Sequence, residues 1–348
     1  MRRGLMSWSR EEVPAAVLDE RVGRLQAAMK QRGWGAALAY TSFAEPAAVH
    51  WLTNFTPYWS EALLLVPPAG MPVLLAALTP RVHGWIREVS HLGDVVSAPR
   101  LGQAARKLLE ERGAGRAVVG VIGLDALPAS VAGPLFEGWT QDRIADAGEV
   151  FARLRQPADA VELALADCAR EIGQRALDGM PAQAAGSNAL AGAVEALARS
   201  RGAEETLHRV APDLRRSGGL LRLEGELALG DAYAVELSLA YKGTWVRLGR
   251  SVARGAAPAS WRQADAWFEA SLRGLAQSGG SRPQLPDGAR QGHWTLESCT
   301  GAQPLSVAAS SRDGAPQAAL RSGMRAVFSA HAEFDDGHWF RAAPVTLA

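Results

Sequence analysis

Residues 229–250 read LGDAYAVELSLAYKGTWVRLGR, and this stretch predicts the central hairpin of the chain. Larger apolar side chains alternate with small or polar ones over 233–240, which is typical of a strand with one buried face. A tight turn centred between Tyr241 and Lys242 is expected to return the chain through a second strand. In this register Glu236 lies directly opposite Arg247, so opposite charges meet on the small-residue face.

The composition indicates a globular protein of two ordinary domains, since the chain has 348 residues. Its formal net charge of +1 gives no general attraction to nucleic acid or to an anionic membrane, so neither is expected as a partner. Two cysteines, Cys168 and Cys299, make neither a disulfide framework nor a cysteine metal cluster. Without a long apolar run or a signal-like beginning, a cytoplasmic location is the expectation.

The first 152 residues predict an α/β domain, because helical and strand patterns alternate along them. An amphipathic helix is expected over 18–32, ending at Gly33. Strands are predicted at 36–40, 62–66, 73–78 and 117–122, and helices at 80–89 and 101–112. There is no glycine motif that would cradle a phosphate, so nucleotide binding is not predicted.

Residues 153–348 predict an α+β domain that contains the hairpin. A long helix is expected after Pro157, with Cys168 on the stripe that faces the core. Further helices are expected at 188–200 and along the stripe from Trp261 to Leu275. Two strands, one after Gly323 and one over 339–347, close the domain.

The hairpin resembles the corresponding segment of the superfamily of creatinase, Xaa-Pro peptidases and methionine aminopeptidases. The residues that carry the resemblance are Gly230-Asp231, Glu236, the Tyr-Lys-Gly-Thr-Trp run at 241–245, Arg250, the segment at 49–55 and Gly323-Met324. It implies an α/β creatinase-like N-terminal domain over 1–152 and an α+β pita-bread domain over 153–348. Most members of that superfamily carry two divalent metal ions.

The metal ligands implied by the resemblance are largely replaced in this chain. Two family aspartates have the separation of Glu236 and Arg247, and arginine is a cation without a lone pair to donate. The family histidine is matched best by His293, one glutamate falls on Ser329, and the last falls within 340–344, where no carboxylate occurs. Two divalent cations need several anionic oxygens, so we expect no metal and no other cofactor.

The hairpin pair has two interpretations. In one, Glu236 is a general base or carboxylate anchor and Arg247 binds the acid group of a substrate. In the other, the two residues form a structural ion pair in the space that relatives use for metal. Arg250 matches an arginine found across much of the superfamily, and it is either a ligand contact or a structural brace.

Histidines near the end of the chain are the other candidates for chemistry. His293 and Glu297 face the same way if their segment is extended, which permits an acid–base pair, and Cys299 on that face permits a Cys–His pair. His331 shares a strand face with Ser329. The candidate catalytic residues are therefore Glu236, His293 and His331, and the candidate ligand-binding residues include Arg247, Ser329 and Arg250. His338 is expected in a surface turn.

The resemblance also implies a homodimer in which the N-terminal domain of one subunit lies near the pocket of its partner. The loop expected there contains Tyr58 and Trp59. These aromatic side chains would either wall a ligand pocket or stack on a cation, and adjacent aromatic residues in a loop are equally typical of a subunit interface.

Two classes of function stay open, because a fold does not decide a function. The first is a hydrolase-type enzyme with metal-independent C–N chemistry that acts on, or binds, a small amino-acid, guanidino or peptide-like molecule. Creatinase, which works without metal, is the precedent that the resemblance supplies. The second is a non-catalytic pseudoenzyme that binds a peptide or a paralogous subunit.

Overall fold

The computed structural model describes residues 7–42, 44–57, 60–181, 183–278, 283–299, 306–312 and 320–348. Their contacts divide the chain into two compact units. One comprises the described residues up to Arg155, and the other comprises those from Gln156 onward. No helix in these ranges is both long enough and apolar enough to cross a membrane.

The first unit is a mixed sheet with helices on both faces. Its helices are α1 (Ala15–Arg32), α2 (Ala47–Thr53), α3 (His83–Val89), α4 (Leu101–Glu111), α5 (Ala129–Phe136) and α6 (Gly148–Leu154). Its strands are β1 (Trp34–Thr41), β2 (Ala62–Val66), β3 (Val73–Ala76), β4 (Asp94–Ser97), β5 (Val118–Ile122) and β6 (Ile144–Asp146), in the sheet order β4-β3-β2-β1-β5-β6.

Two apolar cores explain why the strands of this sheet are almost uniformly apolar. Leu64 of β2 belongs to a core with α1, α2 and α6, whereas Leu63 and Leu65 belong to a core with α4 and α5. A strand covered on both faces reads as a continuous apolar run, as β2 does. The predicted α/β character of this part of the chain is confirmed.

The second unit is built on an antiparallel eight-stranded sheet with the order β12-β11-β13-β14-β10-β9-β7-β8. The strands are β7 (Glu205–Ala211), β8 (Leu221–Arg222), β9 (Ala232–Tyr241), β10 (Thr244–Ala253), β11 (Gln291–Ser298), β12 (Ser306–Ser310), β13 (Arg325–Phe334) and β14 (Gly337–Thr346). The helices are α7 (Ala160–Asp178), α8 (Ser187–Arg199) and α9 (Ala259–Ser278). This arrangement confirms the predicted α+β class.

Helices cover one face of the second sheet, which we call the helix face. Gly173 of α7 lies directly over the hairpin, where a side-chain carbon would be 2.5 Å from Cδ1 of Leu248. The α9 side chain Phe268 stacks on Phe328 of β13 with ring centroids 5.0 Å apart. We call the opposite face of this sheet the polar face.

Two expectations about packing were wrong. Every residue of β9 from Ala232 to Ala240 is buried, so this strand has two buried faces and not one. Cys168 is exposed, because the buried stripe of α7 runs through Leu165, Ala169 and Ile172 and passes beside it. A turn of 3.6 residues places position 168 just outside that stripe.

Candidate functional site

The turn of the central hairpin lies one residue further along the chain than expected. Tyr241 pairs with Thr244, so the two-residue loop is Lys242-Gly243, and both residues have positive φ, 47° and 72°. Such a loop matches the twist of the strands it joins and requires positive φ at both positions. The expected register was therefore wrong: Glu236 lies opposite Gly249, and Arg247 lies opposite Ser238.

The polar face brings several predicted residues into one row across the sheet. Residues directly opposite each other on paired strands point to the same face. The row runs through Thr295, Ser329, Ala342, Gly249, Glu236 and Arg209. His331, which pairs with His293, lies two residues beyond Ser329 on its strand. Arg247 lies two residues before Gly249 on its strand. Residues two apart on a strand point to the same face, so these side chains also belong to the polar face.

Two arginines and two glutamates of the polar face form a network that we call the Arg–Glu network, comprising Arg209, Glu236, Arg247 and Glu297. Arg209 donates from Nε to Oε1 of Glu236 at 2.6 Å, and Nε of Arg247 lies 3.6 Å from the same oxygen. Arg247 also donates to Ser238 at 3.0 Å and to the carboxylate of Glu297. The expected ion pair thus exists, but diagonally and with additional partners.

Burial makes this network more than a surface ion pair. The Glu236 side chain is 4% exposed and those of Arg247 and Glu297 are each 14% exposed. Arg209, at 42%, is the member that reaches solvent. Burial raises the pKa of Glu297, against the opposing effect of the Arg247 charge, and the charge of Glu236 raises it further. Losing one partner would leave an uncompensated charge in a buried place.

Three histidines form a second cluster on the same face, which we call the histidine cluster. The ring centroids of His293 and His331 are 5.5 Å apart, and those of His331 and His338 are 5.4 Å apart. Arg312 donates to Nε2 of His293 at 2.8 Å. The expectation for His338 was wrong, because it lies in β14 and stacks on His331.

His331 is neutral at physiological pH. Burial lowers the pKa of His331 from 6.5 to about 4, and the positive charges of its neighbours lower it further. Its Nε2 is buried without a hydrogen-bond partner among the described residues, and so is Oγ of Ser329. The backbone of Gly218 packs against the His331 ring so closely that a side-chain carbon there would overlap it.

Not all candidates share this face. Arg250 is three residues from Arg247 on β10, so its side chain points to the opposite face, the helix face. There it donates to Asp178 at 2.9 Å and to the carbonyl of Leu177. The candidates Tyr58 and Trp59 lie outside the described residues.

The donors of the polar face do not fit a pair of divalent cations. Both carboxylates, Glu236 and Glu297, already accept hydrogen bonds from guanidinium groups, and Arg247 places a fixed positive charge between them. Across the ranges that the structure describes, no three His, Cys, Asp or Glu side chains are arranged to hold a metal ion.

Sequence reasoning missed Arg209, Arg312 and the stacking of His338. A strand over 205–211 was not predicted, so the position of Arg209 opposite Glu236 had no local signal. The sequence pattern predicts an acid–base pair of Glu297 with His293, but the partner of Glu297 in the structure is Arg247, which is 50 positions away in sequence.

Comparisons with known proteins agree with this architecture. Residues 21–156 match the family described as the creatinase/prolidase N-terminal domain. No curated protein matches the sequence.

Solved structures resemble the chain over almost its whole length. An Xaa-Pro dipeptidase from Bacillus anthracis shares 15% identity over 95% of both chains with a TM-score of 0.66. A dipeptidase from Pyrococcus horikoshii shares 14% over 94% of both, with a TM-score of 0.70. An X-prolyl aminopeptidase from Caenorhabditis elegans, a cytosolic enzyme with a di-nuclear active site, shares 11% over 98% of this chain and 60% of its own, with a TM-score of 0.61. Identities this low show a common fold only.

Proposed function

We propose that the polar face binds a small amino-acid- or peptide-like molecule without metal ions. Residues 21–156 match the creatinase/prolidase N-terminal domain, and the fold of the chain is similar to that of an Xaa-Pro dipeptidase and a dipeptidase, which supports a ligand of this class. The observation that carries the proposal is the pair of guanidinium groups around Glu236, with Nε atoms 2.6 and 3.6 Å from Oε1. Guanidinium groups supply here the positive charge that two metal ions supply in most relatives.

Two buried polar atoms support ligand binding on this face. Oγ of Ser329 and Nε2 of His331 lack hydrogen-bond partners among the described residues, and both belong to β13. A buried polar atom without a partner costs about 1–3 kcal/mol, and a bound molecule or ordered water would recover that cost. Ser329 and His331 are therefore the proposed ligand contacts, with His293 beside them. A ligand reaches Nε2 of His331 only by displacing the backbone of Gly218, which lies against that atom.

The Arg–Glu network has a supporting role in this proposal. A Glu236 carboxylate shared by two arginines is an anchor for the site and a poor acceptor for a substrate proton. Arg250 is a structural brace between β10 and the end of α7. We further propose that the protein is a cytoplasmic homodimer, with Tyr58 and Trp59 of one subunit near the pocket of its partner and the domain boundary at residues 152–153.

Metal-independent C–N cleavage is the second candidate. A neutral His331 with an unpartnered Nε2, on the same strand face as the Ser329 hydroxyl, is the observation that favours it. Mass spectrometry of a bound peptide-like molecule after prolonged incubation separates the two candidates, because cleavage products appear only if the site is catalytic. Their absence, with binding retained, supports the non-catalytic interpretation.

The metal content tests the central proposal. Purified protein is incubated with excess Mn²⁺, Co²⁺ or Zn²⁺ and desalted, and its metal content is measured by inductively coupled plasma mass spectrometry. We expect no stoichiometric metal. We also expect that Arg247→Asp alone does not create metal binding, because Arg209 still donates a hydrogen bond to the Glu236 carboxylate. Two tightly held ions per chain would contradict the proposal.

Binding is measured by calorimetry with alanyl-proline as the probe, in the presence of a chelator. We expect Ser329→Ala and His331→Ala to weaken binding at least about tenfold, which corresponds to loss of one buried hydrogen bond. Ser260→Ala, at the start of α9, is the matched control and should leave binding unchanged. Failure of alanyl-proline and of free amino acids to bind would reject this ligand class.

A further inference from the structure

A cavity of about 130 Å³ lies in the second unit, where β10 and β14 separate. These strands pair only at Gly249–Ala342 and Arg250–Arg341, although both continue well beyond those positions. Pro344, within the unpaired part of β14, has no N–H to donate to a neighbouring strand, which is a physical reason for the ladder to stop. The separation leaves a space between two central strands that is partly open to solvent.

The walls of this cavity combine apolar and polar groups. Trp245 and Val246 of β10 face Pro344 and Val345 of β14, while Leu163 and Ala166 of α7 contribute the helical side. No lining residue belongs to the Arg–Glu network or to the histidine cluster, so the cavity is not part of the site described above.

One lining residue carries a buried positive charge. The Arg325 side chain is 6% exposed, and its contacts with acceptors are long: Nη1 lies 3.5 Å from Oε1 of Glu162, and Nη2 lies 3.3 Å from the carbonyl oxygen of Trp245. Charge-assisted hydrogen bonds are normally about 2.7–2.9 Å long. A guanidinium group has five N–H donors, so Arg325 has capacity for a stronger acceptor.

Among the described residues that line the cavity, no other charged residue pairs with Arg325. Asp167 and Arg170 line it as well, and they pair with each other at 3.4 Å on exposed positions of α7. Glu162, the partner of Arg325, is not among the lining residues. The charged groups that face the space are thus two cations and one anion.

We propose that this cavity binds a small carboxylate that has an apolar body of about six heavy atoms. The size follows from the volume, because an apolar protein cavity of about 150 Å³ takes up benzene. The carboxylate would form a bidentate pair with Arg325, the geometry that a guanidinium fork favours, while the apolar body packs between Trp245 and Pro344. This site is independent of the function proposed for the polar face.

Three probes of one shape and different charge test the chemistry. Benzoate, benzyl alcohol and benzylamine are titrated into the full-length protein by calorimetry or ligand-observed NMR. We expect benzoate to bind at least about tenfold more tightly than benzyl alcohol, with benzylamine weakest. Equal affinities for the three, or no binding of benzoate, would overturn the proposal.

Two variants of α7 test the location. Ala166→Leu fills the cavity and should weaken benzoate binding at least about tenfold, whereas Ala164→Leu, on an exposed position of the same helix, should not. Thermal unfolding of both variants checks that they fold. A benzoate-soaked crystal of the unsubstituted protein gives an independent readout, and an empty cavity in that crystal rejects the site even if Ala166→Leu fails to fold. Unchanged binding by a folded Ala166→Leu protein would place benzoate elsewhere and so refute it.

Discussion

The two faces of the eight-stranded sheet are held by different kinds of interaction. On the helix face, apolar side chains such as Phe268 and Phe328 pack against each other, and packing depends on volume. On the polar face, Glu236 and Glu297 are held by arginines, and those contacts depend on charge and geometry. A sheet can therefore keep its fold through one face while the chemistry of the other face changes.

This difference explains how a chain with 14–15% identity to dipeptidases keeps their fold. Apolar residues of similar volume replace one another at modest cost, so the helix face tolerates sequence change. A charged group on the polar face needs its partner, so replacing one member of the Arg–Glu network alone leaves a buried charge unpaired.

The largest effect is expected on the helix face. Phe268→Ala removes a stacked ring from the core and should lower the free energy of unfolding by about 3–5 kcal/mol. The loss should be independent of salt, since no charge is involved. Urea unfolding at two salt concentrations measures both, with Gln263→Ala, an exposed residue of α9, as the control that changes stability by less than about 0.5 kcal/mol. A small effect of Phe268→Ala would mean that the helix face is not the main support of the fold.

A somewhat smaller loss is expected from breaking the Arg–Glu network. Arg247→Met leaves Glu297 without its cation in a place that is 14% exposed, and should cost about 2–4 kcal/mol at pH 7. The double variant Arg247→Met/Glu297→Met should regain most of that loss, because an apolar pair can replace a buried ion pair. Urea unfolding of both variants decides. If the double variant is no more stable than the single one, charge pairing is not what holds this face.

The histidine cluster should make the polar face sensitive to acid. The folded-state pKa of His331, lowered from 6.5 to about 4, lies below its unfolded value. Because the unfolded state binds a proton more readily than the folded state, the neutral His331 ring stabilises the fold fully above pH 6.5. That stabilisation is lost as the pH falls from 6.5 towards 4. For this half-buried ring the loss amounts to about 1–3 kcal/mol.

We expect His331→Gln to flatten that part of the stability curve. Unfolding by urea at pH 7, 6 and 5 measures the slope, and Phe268→Ala should keep the slope of the unsubstituted protein. An NMR titration of His331 that gave a pKa near 6.5 would contradict the assignment.

The smallest effect is expected at the turn that joins the two strands of the hairpin. Lys242 has a φ of 47°, which asparagine adopts more readily than lysine. Lys242→Asn should raise the free energy of unfolding by roughly 0.5 kcal/mol, and Gly243→Ala should lower it by about 1 kcal/mol. Differential thermal unfolding measures both. A destabilising Lys242→Asn would argue against the two-residue turn.

Local patterns predicted most of the regular elements. The strand expected at 62–66 is Ala62–Val66, and the helix expected at 188–200 is Ser187–Arg199, because apolar spacing reports directly on period and burial. The short strand Asp94–Ser97 and the helix Ala129–Phe136 were missed. Their sequences carry few periodic residues, and tertiary packing decides their structure.

The sequence by itself determined that Glu236 and Arg247 lie on the two strands of one hairpin, since residue identity and a repeat of two residues are enough to show that. Tertiary structure decided which groups meet. The positive φ of Lys242 set the register, the strand order brought Arg209 beside Glu236, and the pairing of β11, β13 and β14 assembled the three histidines. The repeat of polar and apolar residues is a property of one strand. The partner of a charged side chain lies on another strand that can be distant in sequence, and only the folded sheet sets the distance between the two side chains.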